Sequence, residues 1–162
     1  MKLITQKRLK EILDYDLNTG IFVWKVSLNR KIIIGSIAGC LDRFGYILIG
    51  INKKSYRAHR LAWLYVYGIW PINEIDHING NTGDNKITNL RDVTCNINKQ
   101  NRQFAQRNNK LGVLGVSPQG KLFRARITIN RKYKHLGSFD TVESAHEKYL
   151  TEKRKYHKGN TL

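Results

Sequence analysis

Apolar residues recur along the chain with periods that change from segment to segment, and these periods predict the secondary structure. Residues 3–13 carry apolar side chains at helical spacing, which predicts a short amphipathic helix with Thr5 as its N-cap. Residues 59–68 predict a second helix that ends at Gly68. Short apolar runs between these helices are separated by glycines and predict a small antiparallel sheet. The strand candidates are residues 21–26, 31–34, 36–40, 46–51 and 56–58.

The last third of the chain has a strict alternation of apolar and polar positions. In residues 122–129, the apolar side chains fall on one face of a strand, while Arg124, Arg126 and Thr128 fall on the other. A turn at Asn130 and Arg131 leads to a second strand candidate, residues 132–136. Asp140 or Thr141 then suits the N-cap of a helix. This segment therefore predicts a β-hairpin followed by one helix.

The composition of the chain indicates what kind of partner it binds. The chain has 162 residues, which suffices for one ordinary domain or two small ones, and 41% of them are hydrophobic. Lysine and arginine number 29 against 12 acidic residues, a formal net charge of +17. An excess of this size indicates a polyanionic partner, and double-stranded DNA is the simplest one. We expect no membrane association, because the sequence has neither a long apolar run nor a long basic amphipathic helix.

Two cysteines, Cys40 and Cys95, have no metal-ligand spacing, so we expect no structural zinc. Two reduced thiols are favoured over a disulfide, which only the geometry could decide. The N-terminus lacks the apolar region of a signal peptide. We therefore expect an intracellular protein that is not secreted.

The strongest candidate for chemistry is an acid beside a histidine, Asp76 and His77, followed by Asn79-Gly80-Asn81. A carboxylate offers a hard oxygen to Mg²⁺ or Mn²⁺. A histidine is a natural general base because its ordinary pKa lies near neutrality. Adjacent residues of a strand point to opposite faces, so the pair can act together only where the strand ends or bulges. The Asn-Gly-Asn segment predicts such an end.

This segment, with its flanking motifs, resembles the HNH (ββα-metal) endonucleases of the phage type. The matching residues, in order, are His59-Arg60-Leu61, Asp76-His77, Asn79-Gly80-Asn81, Asn89-Leu90-Arg91 and Asn96-Ile97-Asn98. The resemblance implies two antiparallel strands and a helix around one divalent cation, with residues 90–93 as the second strand. It implies Asp76 and Asn98 as metal ligands and His77 as the general base. Asn89 would pin the loop that aims His77. His59 is interpreted as a packing residue or as a third participant in the site.

A second resemblance covers about residues 112–155 and is to the AP2 DNA-binding domain, a three-stranded antiparallel sheet backed by one helix. The matching residues are Gly115-Val116, residues 123–127, and residues 136–141 with Ala145. The family reads the DNA major groove with the sheet face turned away from the helix. Here the resemblance assigns DNA contacts to Arg124, Arg126, Thr128, Tyr133 and His135. Phe123 and His135 replace the usual tryptophan, so the base preference is not inherited.

Together these features predict an α+β protein with four segments. Residues 1–54 form an N-terminal helix and small sheet, 55–102 an HNH core, 103–111 a basic linker and 112–162 an AP2-like domain. We expect a monomeric DNA endonuclease, phage-encoded or homing, in which Arg60 and Arg91 also contact DNA. The basic tail, residues 153–158, is expected to add only non-specific attraction to phosphates. The alternative is a DNA-binding regulator with a decayed HNH core. The target, and whether one strand or two are cut, stay open.

Overall fold

The structure, a computed structural model, describes residues 3–162. The chain divides between Thr94 and Cys95 into two compact units, called here the first and second unit. Both contain short helices and small antiparallel sheets, which confirms the predicted α+β class. None of the helices in residues 3–162 has the length and apolar character needed to span a membrane.

The first unit opens with the predicted helix. Helix α1 (Gln6–Ile12) begins after Thr5, whose hydroxyl accepts a hydrogen bond from the Arg8 amide at 3.2 Å. The chain then enters β1 (Leu13–Tyr15), which pairs with β2 (Phe22–Trp24) in an antiparallel hairpin. The inward side chains of this hairpin are buried together with Leu9 and Ile12, so the start of the unit is anchored in its core.

A three-stranded antiparallel sheet follows, in the order β3 (Cys40–Leu41), β4 (Ile47–Ile51) and β5 (Lys54–Arg57). The turn between β4 and β5 places Asn52 and Lys53 at positive φ, as a two-residue hairpin loop requires. Helix α2 (Ala58–Tyr67) follows directly and ends at Gly68, which adopts the left-handed conformation at φ 77°. The predicted end of this helix is therefore confirmed.

The predicted strand at residues 31–34 is wrong, and only Cys40 of the predicted strand 36–40 lies in one. Residues 31–36 form turns, and a single bridge joins Ile37 to Val23. Gly35 and Gly39 have φ angles of 84° and 103°, which interrupt an extended run. Gly35, Ser36 and Ala38 do make backbone hydrogen bonds to Trp24 and Phe22 of β2, but this pairing is too short to form a continuous strand.

The candidate catalytic residues lie in a short hairpin of the same unit. Strand β6 (Glu74–His77) pairs antiparallel with β7 (Leu90–Val93), with Asp76 opposite Arg91 and His77 opposite Leu90. The bounds of β7 are those predicted. One 3-10 turn, Ile87–Asn89, leads into β7. Ile75 and Leu90 belong to the core of the unit, so the hairpin is fixed to its hydrophobic interior.

The second unit contains α3 (Cys95–Gln100), the strands β8 (Val116–Gln119), β9 (Leu122–Ile129) and β10 (Lys132–Phe139), and α4 (Val142–Tyr156). The strands form one antiparallel sheet in the order β10-β9-β8. Ala125, Val116 and Ala145 pack as its core. The hydroxyl of Thr141 caps α4 by accepting from the Ser144 amide. The β-hairpin of β9 and β10 and the helix that follows it are thus present, as the sequence pattern predicted.

Two features of the second unit depart from the sequence expectations. Strand β10 runs to Phe139 rather than ending at residue 136, because an irregularity between His135 and Gly137 shifts the register and lets the pairing continue. Lys153, expected in a basic tail, is only 1% exposed, and its ammonium donates to the Arg102 carbonyl at 2.6 Å. For Lys153 the expectation of a phosphate-attracting surface charge is therefore wrong.

Candidate functional site

Asp76 and His77 are the last two residues of β6, and their side chains are 5% and 4% exposed. Arg91, directly opposite Asp76 on β7, donates from Nε at 2.8 Å to Asp76 Oδ2, and its Nη2 lies 2.7 Å from the same oxygen. Both nitrogens contact the same carboxylate oxygen, so the guanidinium fixes the orientation of the carboxylate. Arg91 was predicted to contact DNA; the structure gives it this ion pair, and the DNA contact stays a prediction.

The His77 ring lies among aromatic neighbours. The centroid of the His59 ring is 5.1 Å away in an edge-on arrangement, and that of Tyr46 is 6.0 Å away. Burial lowers the pKa of His77, against the opposing effects of Asn85, Asp76 and Asp84. Burial, together with His77, Arg57 and Arg60, lowers the pKa of His59 to about 3. His59 is therefore neutral at pH 7 and packs beside His77 without adding charge.

Asn85 is the polar side chain that faces the His77 ring. Its Oδ1 lies 3.4 Å from His77 Nε2, while its Nδ2 donates to the Gly83 carbonyl at 3.1 Å. Tyr15 donates from its hydroxyl to the Asn85 carbonyl at 2.7 Å, and burial raises the pKa of Tyr15 to about 12, so this proton stays in place. A Cβ at Gly20 would lie 2.5 Å from the Asn85 carbonyl carbon. The turn after β1 thus packs tightly against this residue.

Asn89 ties together the loop between β6 and β7. Its Oδ1 accepts from the Asn79 amide at 2.9 Å, and its Nδ2 donates to the Asp84 carbonyl at 2.8 Å. The Asn89 carbonyl also accepts from the Ile78 amide at 2.9 Å. Asp84 in turn accepts from the Asn79 side chain at 2.8 Å. These contacts hold the residues that follow His77, and they are those that a loop-pinning role requires.

The donor chemistry around Asp76 suits a hard cation. Within residues 3–162, no group of three or more His, Cys, Asp or Glu side chains is placed to hold a metal ion. A single carboxylate can be enough protein for Mg²⁺, because this ion keeps several waters and binds through one or two carboxylates and substrate phosphates. A single carboxylate does not suit zinc, which prefers three or four nitrogen and sulfur ligands.

The two remaining candidates of the HNH-like segment, Asn98 and Arg60, lie in different places. Asn98 lies within α3 and belongs to the second unit. Arg60, at the start of α2, donates to the carbonyls of Asn73 and Pro71, both at 3.1 Å. It also lines an open cleft of about 270 Å³ with Tyr56 and Trp70. These two hydrogen bonds hold the segment before β6, and a contact of Arg60 with phosphate stays a prediction.

In the second unit, the strand register places the five predicted DNA-contact residues on one sheet face. Tyr133 lies opposite Thr128, and His135 lies opposite Arg126. The Arg126 guanidinium lies 5.3 Å from the centroid of the Tyr133 ring, which is 75% exposed. The alternate residues, Ala125 and Ile127, are buried. Arg124, Arg126, Thr128, Tyr133 and His135 therefore form one polar, aromatic surface, called here the basic sheet face.

Sequence reasoning gave no chemical role to three residues around His77. The sequence pattern predicts a strand at Tyr46 and assigns no role to Tyr15 or Asn85. The spacing of Asn85 after Asp76-His77 was a usable signal. Tyr15 and Tyr46 are separated from His77 by 31 or more positions in the sequence, and no local pattern connects them to it.

Comparison with known protein families gives a match for part of the chain. A family model described as HNH endonuclease matches residues 56–100. The match covers less than half of the chain and includes the whole β6–β7 hairpin with Asp76, His77 and Asn89. It supports a nuclease of the HNH type. The searches of curated proteins and of solved structures found no match.

Proposed function

We propose that this protein is a divalent-metal-dependent DNA endonuclease. The observation that carries the proposal is the buried Asp76–His77 pair at the end of β6, within the segment that matches the HNH endonucleases. A carboxylate and an uncharged imidazole side by side provide a ligand for a cation and an acceptor for a proton. Hydrolysis of a phosphodiester bond needs both.

His77 is proposed as the general base, and its contact with Asn85 indicates which nitrogen acts. Because Asn85 Nδ2 donates to the Gly83 carbonyl, Oδ1 is the atom that faces His77 Nε2. An amide oxygen only accepts, so this contact requires the proton on Nε2. In the neutral ring, Nδ1 then carries the lone pair that takes a proton from the attacking water. The lowered pKa of His77 favours this neutral form.

Asp76 is proposed as a ligand of Mg²⁺ or Mn²⁺, and Asn98 as a second ligand on the family resemblance alone. When bound, the cation would supply positive charge to the phosphate and the leaving oxygen. Arg91 orients the Asp76 carboxylate through Oδ2. Asn89 is proposed to act on catalysis by holding the loop after His77, which its hydrogen bonds to Asn79 and Asp84 support.

The basic sheet face is proposed to read DNA as an AP2-like surface, and Arg60 and Arg91 are proposed as further DNA contacts. The net charge of +17 supports a polyanionic substrate. Arginines at alternate positions of a strand are suited to bidentate contacts with guanine edges. The likeness to phage-type HNH motifs supports a phage-encoded or homing enzyme. One proposed active site per chain favours a nick by each monomer.

The test is cleavage of a supercoiled plasmid by the purified protein in Mg²⁺ or Mn²⁺ and in EDTA. His77→Ala should lower the cleavage rate by about 10²–10⁴-fold and leave plasmid binding nearly intact. His157→Asn is the matched control, because it replaces a histidine outside the proposed site. Cleavage by His77→Ala within a few-fold of the parent would show that His77 is not the base. Tight binding without metal-dependent cleavage by the parent protein would instead favour the DNA-binding regulator.

A further inference from the structure

The tip of the β3–β4 hairpin, residues 42–45, presents two large side chains to solvent. Phe44 is 62% exposed, and the Arg43 guanidinium lies 4.6 Å from the centroid of its ring. The turn beneath them is firmly built. Asp42 Oδ1 accepts from the amides of Phe44 and Tyr46 at 2.7 and 3.0 Å, and Gly45 adopts φ 82°. The turn thus holds an exposed aromatic ring in place, although this ring is not packed in the hydrophobic core.

This tip is attached to the loop that follows His77. Thr82 donates from its hydroxyl to the Phe44 carbonyl at 3.2 Å. A Cβ at Gly45 would lie only 2.8 Å from Thr82 Oγ1, so the two loops are in close contact. Tyr46, two residues after Phe44, places its ring centroid 6.0 Å from that of His77. The turn that carries Phe44 therefore lies at the rim of the proposed active site.

We propose that this tip is a DNA contact beside the cleaved bond, in which the Phe44 ring packs against a nucleobase and Arg43 contacts a neighbouring phosphate. The inference rests on the proposed nuclease function, which supplies the substrate at this rim. An aromatic ring can stack on the face of any base, and an apolar wedge can open a base step. The paired arginine and the net charge of +17 complement DNA rather than a protein surface of ordinary composition.

The first experiment compares Phe44→Ala, Phe44→Trp and Arg43→Ala with the parent protein on a plasmid whose cleavage sites have been mapped. Phe44→Ala should lower kcat/KM about tenfold, mainly through KM, and Phe44→Trp should retain most activity because it keeps a stacking ring. Ile72→Ala is the matched control. It removes an apolar side chain that is 87% exposed and lies in the bend before β6, five residues before His77.

The second experiment measures the DNA itself. A short synthetic duplex with the mapped site carries 2-aminopurine beside the cleaved bond and is titrated with His77→Ala protein, which is expected to bind without cutting. Fluorescence should change on binding and should change much less with the His77→Ala, Phe44→Ala double variant. Thermal unfolding is expected to be unaltered by Phe44→Ala, since the ring is exposed.

The outcomes separate this inference from the function on which it rests. Absence of cleavage by the parent protein would overturn the nuclease proposal. Normal cleavage by the parent, with unchanged kcat/KM in Phe44→Ala and an unchanged 2-aminopurine signal, would overturn only the inference about the tip. A loss shared equally by Phe44→Ala and Ile72→Ala would also overturn it, because the effect would then not belong to this rim.

Discussion

At the scale of single residues, the ion pair between Asp76 and Arg91 decides how the candidate metal ligand is presented. The Asp76 carboxylate is 6% exposed and the Arg91 side chain 27%, so the pair is shielded from water on one side more than the other. Removing one partner of a buried pair leaves a charge without its counter-charge, whereas removing both is far less costly. The stability of the first unit should therefore respond differently to the single and the double change.

Arg91→Ala is expected to lower the free energy of unfolding of the first unit by about 1–3 kcal/mol, discounted for the partial exposure of the arginine. The double variant Asp76→Asn, Arg91→Ala should recover part of this loss. The measurement is urea unfolding in EDTA followed by tryptophan fluorescence, since Trp24, Trp63 and Trp70 all lie in the first unit. Equal losses in the single and double variants would contradict an energetic coupling between the two side chains.

Lys153 provides a second prediction at this scale. Burial lowers the pKa of Lys153 from 10.5 to about 8. Below pH 8 the buried ammonium is charged in the folded state, and this charge lowers the free energy of unfolding. The unfolded state binds the proton of Lys153 more tightly than the folded state does. The free energy of unfolding therefore rises with pH between about 8 and 10.5, and above that range the charged amine no longer destabilises the fold. The second unit should thus become more stable with rising pH relative to a variant that lacks this amine.

Lys153→Met keeps a long side chain and removes the titration. The unfolding free energy of the parent minus that of the variant should increase from pH 7 to pH 10, by at most about 1.4 kcal/mol for each pH unit of the window. Circular dichroism in urea follows the unfolding of both units, whereas tryptophan fluorescence follows only the first. A transition seen by circular dichroism alone therefore belongs to the second unit. A pH-independent difference would mean that Lys153 titrates normally in the folded protein.

At the scale of elements, α3 depends on the end of the chain. It has only six residues, fewer than an isolated helix needs to be stable. Gly159 donates from its amide to Gln100 Oε1 at 3.0 Å, and a Cβ at Gly159 would lie 2.2 Å from the Ile97 carbonyl oxygen. The tail is therefore seated against α3 where only glycine fits. Since α3 carries Asn98, which is proposed as a metal ligand on the family resemblance alone, the order of the tail is expected to affect that residue.

Gly159→Ala should displace the tail, loosen α3 and reduce metal-dependent cleavage, while the tryptophan-monitored stability of the first unit stays unchanged. Gly50→Ala is the control, because a Cβ there meets nothing within 4 Å. Amide hydrogen exchange of residues 95–100 gives a direct readout of helix order. Cleavage by Gly159→Ala at the parent rate would separate α3 and Asn98 from catalysis.

At the scale of the whole molecule, general attraction to DNA and recognition of a particular sequence are expected to come from different parts of the chain. The net charge of +17 gives salt-sensitive attraction to any duplex, whereas the basic sheet face offers specific donors. Binding energy and sequence preference should then be separable by mutation. The Arg126 guanidinium also lies 5.3 Å from the Tyr133 ring centroid, which orders the side chain that is proposed to contact a base edge.

Arg124→Ala with Arg126→Ala should reduce discrimination between the preferred site and other sequences, by about 1–3 kcal/mol for each lost bidentate contact. Affinity for random duplex at low salt should fall much less, and its dependence on salt should persist. Cleavage-site mapping on a long duplex and binding titrations at several salt concentrations provide the comparison. Unchanged site selectivity would place recognition elsewhere in the chain.

The elements that the sequence predicted well carry their signals in neighbouring residues. Thr5 caps α1, Gly68 ends α2, and the alternation of residues 122–129 appears in the burial of β9. The second strand of the β6–β7 hairpin is implied by the HNH resemblance instead, although the residues of this hairpin also lie within 20 positions of one another. Capping, left-handed glycines and side-chain alternation depend on local geometry, so one stretch of sequence suffices to predict them.

Tertiary structure alone decided the features that need a distant partner. Residues 31–34 and 36–40 look like strands in sequence, but residues 31–36 run through turns, and residues 35–38 make only a short contact with β2. Lys153 belongs to a basic run, yet the Arg102 carbonyl and the packing around it bury the amine. Tyr46 and Tyr15 reach the surroundings of His77 and Asn85 only because two other hairpins fold against that loop. Burial and pairing are set by what the rest of the chain brings near a residue, and that information is not contained in its own neighbours.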